Sequence, residues 1–238
     1  MPFDLDIIAC EPTPIGLIYL RRRPVLGDSG EIVTEIALDN QFLMSSGNTK
    51  SERALSSLAL EMHPGTGLRV LVGGLGLGYT AYEALRSERV AHVEVVEYLA
   101  PVIDWLRKGL MPLSRELNAE ARLTITEGDV YLRLSQPQSA EGGQAPQSLH
   151  DLILIDVDHS PDERLGPSNE SFYTAEGLAR AKQCLAPGGV LAVWSYAESS
   201  PFADALREVF REVRVESSSF ENRVLSGEET NWLFLARD

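Results

Sequence analysis

The hydrophobic pattern changes character along the chain. Up to about residue 48, short apolar runs are cut by turn signals. Ile15–Leu20 is apolar, Gly27-Asp28-Ser29-Gly30 marks a turn, Glu31–Leu38 partly alternates, Asp39-Asn40 marks a second turn and Phe42–Met44 adds a third run. This predicts a small β-appendage over residues 1–48. Ser46-Gly47-Asn48-Thr49 then precedes a helix over Lys50–Met62, ended by the turn His63-Pro64-Gly65. From there strands and helices alternate: strand Leu68–Val72, helix Tyr79–Arg89, strand His92–Val96, helix Ala100–Gly109, strand Ala121–Thr126, a short helix after Glu127-Gly128-Asp129-Val130, and strand Asp151–Ile155. Ser171 or Thr174 caps a helix that runs to Leu185, Ala186-Pro187-Gly188-Gly189 turns into strand Val190–Trp194, and Phe202–Phe210 is a further helix. Arg214–Ser217 and Trp232–Ala236 read as an antiparallel closing pair. The rhythm predicts an α/β, Rossmann-like domain over 49–238, with a mostly parallel seven-stranded sheet and helices on both faces. Gln136–Ser148 and Asp162–Ser168 read as surface loops.

Composition narrows the partners. A chain of 238 residues carrying a formal charge of −14 is a poor match for nucleic acid or an anionic membrane, and suits a cationic small molecule. Cys10 and Cys184 share no metal-ligand spacing and read as reduced thiols. No apolar run approaches membrane-spanning length, and Met1–Cys10 lacks the pattern of a secretion signal. The expectation is a cytoplasmic protein.

The candidate chemistry gathers where strands end. Leu68–Val72, the glycines Gly73, Gly74, Gly76 and Gly78, and the helix from Tyr79 form a strand–turn–helix crossover suited to a nucleotide-like ligand. About 20 residues on, Glu97 ends the next strand, where an acid accepts hydrogen bonds from ribose hydroxyls. Gly76-x-Gly78-x-x-Ala81 also matches a dinucleotide fingerprint variant, which keeps NAD open at this point. The early third glycine, Gly128-Asp129 after the third strand and Leu185-Ala186-Pro187-Gly188-Gly189 favour S-adenosylmethionine, with Asp129 and Val130 at the adenine. Asp156, Asp158 and His159 follow the most apolar strand and are candidates for substrate contact or proton removal. They also offer carboxylate and imidazole to a divalent metal, but no third ligand stands at a suitable spacing, so no metal is assigned. Trp194 and Tyr196, at the end of the fifth strand, are candidate walls of a substrate pocket.

These motifs together resemble the class I S-adenosylmethionine-dependent transferases, and within them the spermidine synthase (polyamine aminopropyltransferase) family. The carriers are Val70–Gly78, Val93–Glu97, Glu127-Gly128-Asp129, His150–Asp156, Ser171-Phe172-Tyr173 and Leu185–Gly189. The resemblance implies a class I methyltransferase fold, an N-terminal β-appendage, a homodimer, and Asp156 as the aspartate that receives the proton from the attacking amine. Departures exist as well. Leu77 stands where the family has the Asp that helps hold the amino end of decarboxylated S-adenosylmethionine, Ser51-Glu52-Arg53 lies in the region of a Tyr-His-Glu cluster, and Asp156-Val157-Asp158-His159 replaces Asp-Ser-Ser-Asp. A hydrophobic Leu77 cannot pair an ammonium group. The expectation that follows is methyl transfer from S-adenosylmethionine to a small-molecule acceptor. Aminopropyl transfer from the decarboxylated cofactor to a polyamine, and a non-catalytic cofactor-binding protein, are the alternatives.

Overall fold

The computed structural model describes residues 5–25, 30–39, 41–136, 149–163, 165, 169, 171–222 and 227–238. The expected turn residues Gly27, Asp28, Ser29 and Asn40, the loop 137–148, and Gly166 and Pro167 lie outside them. The amino-terminal strands β1 (Asp6–Thr13), β2 (Gly16–Pro24), β3 (Ile32–Leu38) and β4 (Gln41–Ser45) form an antiparallel sheet in sequential order. Three strands were expected there. β1 escaped the pattern because Pro12 and the polar residues Asp6 and Glu11 break its apolar run; at a sheet edge a proline costs no ladder bond.

The second sheet carries α1 (Lys50–Met62), β5 (Leu68–Gly73), α2 (Tyr79–Leu85), β6 (Val90–Glu97), α3 (Ala100–Arg107), α4 (Ser114–Ala119), β7 (Leu123–Glu127), α5 (Val130–Ser135), β8 (His150–Ile155), α6 (Ala175–Lys182), β9 (Leu185–Ser195), α7 (Ser200–Val209), β10 (Glu212–Asn222) and β11 (Gly227–Arg237). Its seven strands run in the order β10-β11-β9-β8-β5-β6-β7. β5–β9 pair in parallel, and β11 joins β9 antiparallel. The Ala186–Gly189 turn lies inside β9, as a bulge between the rungs His150↔Leu185 and Leu152↔Val190, with Gly188 at φ 77°. α4 is one short turn-and-a-half that no apolar period announced.

Alternating side chains on the buried strands feed two apolar clusters, one per face. Val70, Val72, Leu152 and Leu154 join Leu55, Ala59 and Trp105 on one side; Leu71, Ile153 and Ile155 join Leu134, Leu178 and Leu206 on the other. The first cluster continues into the amino-terminal sheet through Ile18, Leu20, Ile36 and Leu38. Strand order reverses between β5 and β8, and the carboxyl ends of strands at such a switch point form a crevice. Among the described residues no helix is long and apolar enough to cross a membrane.

Candidate active site

The crevice is open because glycines keep side chains out of it. Gly74 (φ 89°) and Gly76 (φ 49°) adopt left-handed backbone, and a Cβ on them would strike the Asp156 carbonyl and the Met44 sulfur, respectively. Both line a cleft of about 330 Å³ between the two sheets. Gly78 does not line it. It is the N-cap of α2 at φ 89° and packs on Leu117, so the third glycine serves the turn. Leu77, between these two turns, is fully buried in the apolar core and points away from the cleft.

Glu97 lies on the wall of the cleft, nearly buried. Its Oε2 accepts the Leu75 N–H at 2.7 Å and its Oε1 the Leu99 N–H at 2.8 Å. Burial pushes its carboxyl up, and the backbone N–H groups oppose that shift. Asp129 caps α5: its Oδ1 accepts from Tyr131 N at 2.8 Å and Leu132 N at 3.1 Å, while Oδ2 takes no bond from the described residues. Val130 packs over Gly73 beside it.

Two carboxylates share the far part of the cleft. Asp156 follows β8, and its Oδ2 accepts the Thr80 hydroxyl at 2.6 Å. Desolvation pushes it up to about 6. Glu52, in the first turn of α1, accepts the Ser51 hydroxyl at 2.8 Å and is pushed up to about 7, by burial first and then by the charge of Asp156. Among the described residues no lysine or arginine pairs with either. Glu52 is the site residue that sequence reasoning missed. Its signal was there, since Ser51-Glu52-Arg53 sits where the resembled family has an acid-containing cluster, but the segment was read as a departure. Glu52 lines the cleft.

Asp158 lines the cleft as well, but its oxygens are engaged within the fold. It is 2% exposed, with four donors on its two oxygens: Leu165 N (2.8 Å) and Asn169 Nδ2 (2.7 Å) on Oδ1, Tyr131 OH (2.8 Å) and Tyr173 OH (2.9 Å) on Oδ2. These four bonds anchor the chain after β8. His159 and Trp194 line both this cleft and a second one of about 870 Å³, which Glu52 and Met44 also border. Tyr196 lines only the second, set edge-on to His159 (6.3 Å, 83°), with its hydroxyl donated to Glu163 at 2.5 Å. Among the described residues no three His, Cys, Asp or Glu side chains gather as metal ligands.

No family model matches the chain. A polyamine aminopropyltransferase of Prochlorococcus marinus (strain MIT 9313) is 31% identical over 151 residues, 63% of this chain and 44% of that protein. Polyamine aminopropyltransferase 2 of Streptomyces coelicolor is 31% identical over 137 residues, 56% of this chain and 23% of that protein. Putrescine N-methyltransferase 4 of Nicotiana tabacum is 31% identical over 125 residues, 52% of this chain and 28% of that protein. The match thus spans less than half the length of these curated relatives. Among solved structures, a spermidine synthase in complex with the transition state analogue AdoDATO superposes with a TM-score of 0.74 at 20% identity, covering 98% of this chain and 73% of that one. The Thermotoga maritima spermidine synthase gives 0.74 at 18% identity, covering 98% and 72%. The chain has a spermidine synthase-like fold.

For a spermidine synthase-like chain the expectation of methyl transfer does not stand. The two aminopropyltransferases match more of the chain than the putrescine N-methyltransferase does, and two spermidine synthase structures share its fold over nearly its whole length. The physical ground for the expectation fails too. Leu77 was to exclude an ammonium group from the cleft, and its side chain is not in the cleft.

Glu97 gives a direct check on whether the cleft takes an adenosyl ligand. Glu97→Gln keeps the shape but removes the charge and one acceptor. It is expected to weaken binding of an adenosyl ligand roughly 10–100-fold, the range for a lost bond to a charged group. Calorimetric titration reads it, and unchanged affinity would remove Glu97 from the binding wall.

Proposed function

We propose that this chain transfers an aminopropyl group from decarboxylated S-adenosylmethionine to an amine of a polyamine. The observation that carries the reading is the pair Glu52 and Asp156: one buried and one half-buried carboxyl, neither ion-paired with a described cation, beside a glycine-walled cleft. Buried acids in that state are poised for a cationic ligand, because an arriving ammonium supplies the missing counter-charge.

The cleft fits the adenosyl donor. Gly74 and Gly76 leave the room that a Cβ would fill, Glu97 offers acceptors to ribose hydroxyls, and Asp129 Oδ2 with Val130 offers an acceptor and an apolar face to the adenine. Bound there, the donor supplies a sulfonium whose adjacent carbon is already electrophilic. The protein's part is to hold the amine in line and free its lone pair. Glu52 binds the amine as a counter-charge. Asp156 takes the proton from its nitrogen; as the new C–N bond forms, the C–S bond breaks and its electron pair leaves with sulfur as a neutral thioether. Thr80 holds the Asp156 carboxyl in place through Oδ2. A group titrating near 6 is ionised at neutral pH yet basic enough to accept a proton.

Purified protein is tested with the decarboxylated donor and a panel of di- and triamines, with mass spectrometry for the aminopropylated product and the released thioether. Donor binding without any product across the panel would overturn the reading. The pair also sets a pH dependence. Both acids lie above their free values, so the working anions are lost as pH falls through about 7 and then about 6. With free-enzyme kinetics, kcat/KM for the amine is expected to drop on the acid side over that window. A profile flat from pH 8 to pH 5 would contradict it.

A further inference from the structure

Glu52 is supported from outside the cleft. Its Oε2 accepts the proton of Ser51 Oγ at 2.8 Å, and Ser51 Oγ in turn accepts from Asn231 Nδ2 on β11 at 2.9 Å. Ser51 is 1% exposed. A second tie joins the same helix start to the same hairpin, since Lys50 Nζ donates to Ser219 O on β10 at 2.8 Å. The bonds have a direction. The Asn231 amide has a proton to give, so the serine oxygen accepts and its single proton is left for the carboxylate. Ser51 and Asn231 both border the larger cleft, on the side away from Asp156.

We propose that Ser51 and Asn231 are positioning residues for the transfer reaction, through which the β10–β11 hairpin holds Glu52 in place as an anion aimed at the acceptor amine. The proposal rests on the polyamine-transfer reading above. Three facts favour a working role over a merely structural one. Glu52 has no cationic partner among the described residues, the relay ends on the oxygen of a cleft-lining group, and the relay's protons stabilise the charged form that a bound ammonium requires. The other groups around Glu52 do not replace this support. Asp156 beyond β8 repels it. Arg53 on its own helix attracts it, but its guanidinium is paired with Glu83 and stacked on Tyr79 and Tyr82. Tyr79 on α2 is itself raised in part by Glu52. Across the larger cleft, Glu35 is bound by Arg21 and Arg23, and His159 and Glu229 border the same space.

The test uses Ser51→Ala, Ser51→Thr, Asn231→Ala, Glu52→Gln and the double variant Ser51→Ala/Glu52→Gln, with two readouts. The first is urea unfolding of the ligand-free protein at pH 5, 7 and 9. Glu52 is raised in the folded state, so between the unfolded value and about 7 the native protein binds more protons and stability falls as pH rises. Losing the Ser51 donor disfavours the anion further. The Ser51→Ala loss is therefore expected to grow from pH 5 to pH 9, and to be independent of pH in the Glu52→Gln background. The second readout is transfer to putrescine and spermidine. Ser51→Ala is expected to lower kcat/KM for the amine roughly 5–20-fold at pH 7, mainly through KM, with partial rescue by Ser51→Thr and donor affinity unchanged. Asn231→Ala, at a partly exposed position, moves both readouts in the same direction by less, and decides the matter if Ser51→Ala does not fold. A pH-independent loss that persists in Glu52→Gln, or an unchanged amine KM in a folded variant, overturns the proposal. If the wild type transfers to no amine, the transfer reading fails, and the unfolding series still decides whether the relay controls the charge of Glu52.

Discussion

Asp156→Asn is expected to lower kcat for amine transfer by about 10²–10⁴-fold, the usual worth of a positioned general base. Asparagine keeps the size and still accepts the Thr80 hydroxyl that holds the side chain, so the fold and the nucleoside wall stay as they are. What goes is the only group in the pair with both a basic oxygen and a place at the end of β8, next to the Gly74 backbone. Donor affinity should change by no more than a few-fold, because Glu97 and Asp129 lie on different strand ends. Single-turnover kinetics with saturating donor and amine separates the step from binding. A kcat within tenfold of wild type would show that proton removal happens elsewhere, with Glu52 the next group to examine.

Leu77→Asp is expected to damage stability and leave cofactor preference unimproved. Leu77 is fully buried among Leu55, Tyr79 and Ala81, and its N–H meets the Met44 sulfur at 2.9 Å. A carboxyl at that position must be desolvated without a partner. A cost of about 4 kcal/mol or more is typical of a buried unpaired charge, which for a chain of this size lowers Tm by about 8–16 °C. Thermal unfolding with and without the decarboxylated donor reads both effects. A variant that unfolds like wild type and binds that donor more tightly would put residue 77 in the cleft after all.

The same residue shows why part of the site was hidden in the sequence. Periodicity places strands and helices, and it gave α1 its bounds and set Asp156 at a strand's carboxyl edge, where ligand groups belong. It says nothing of which way a side chain points inside a glycine turn. With Gly76 and Gly78 both at positive φ, the backbone rotates between them and delivers Leu77 to the core. Asp158 was out of reach for a different reason. Its orientation is decided by Tyr131 and Tyr173, on elements separated from it by 27 and 15 residues, and no local pattern encodes such a pairing. Glu97 and Asp129 reach the cleft wall through local contacts, which sequence can place: each binds backbone N–H groups within its own turn or the neighbouring glycine loop.

The apolar cluster that runs from Ile18, Leu20, Ile36 and Leu38 into Leu55, Val72 and Leu77 bears on modularity. The two sheets are distinct in hydrogen bonding, yet they have one interior on this face, and the cleft is also lined by Ile18, Ile36, Leu43 and Met44 from the smaller sheet and Ile15 from its first turn. The larger sheet is thus not a portable unit. Grafted without its antiparallel partner, it would present bare leucine and valine side chains to water and a cleft with one wall missing. Exchange between relatives that respects this interior has to move both sheets together, or recut the shared face on each.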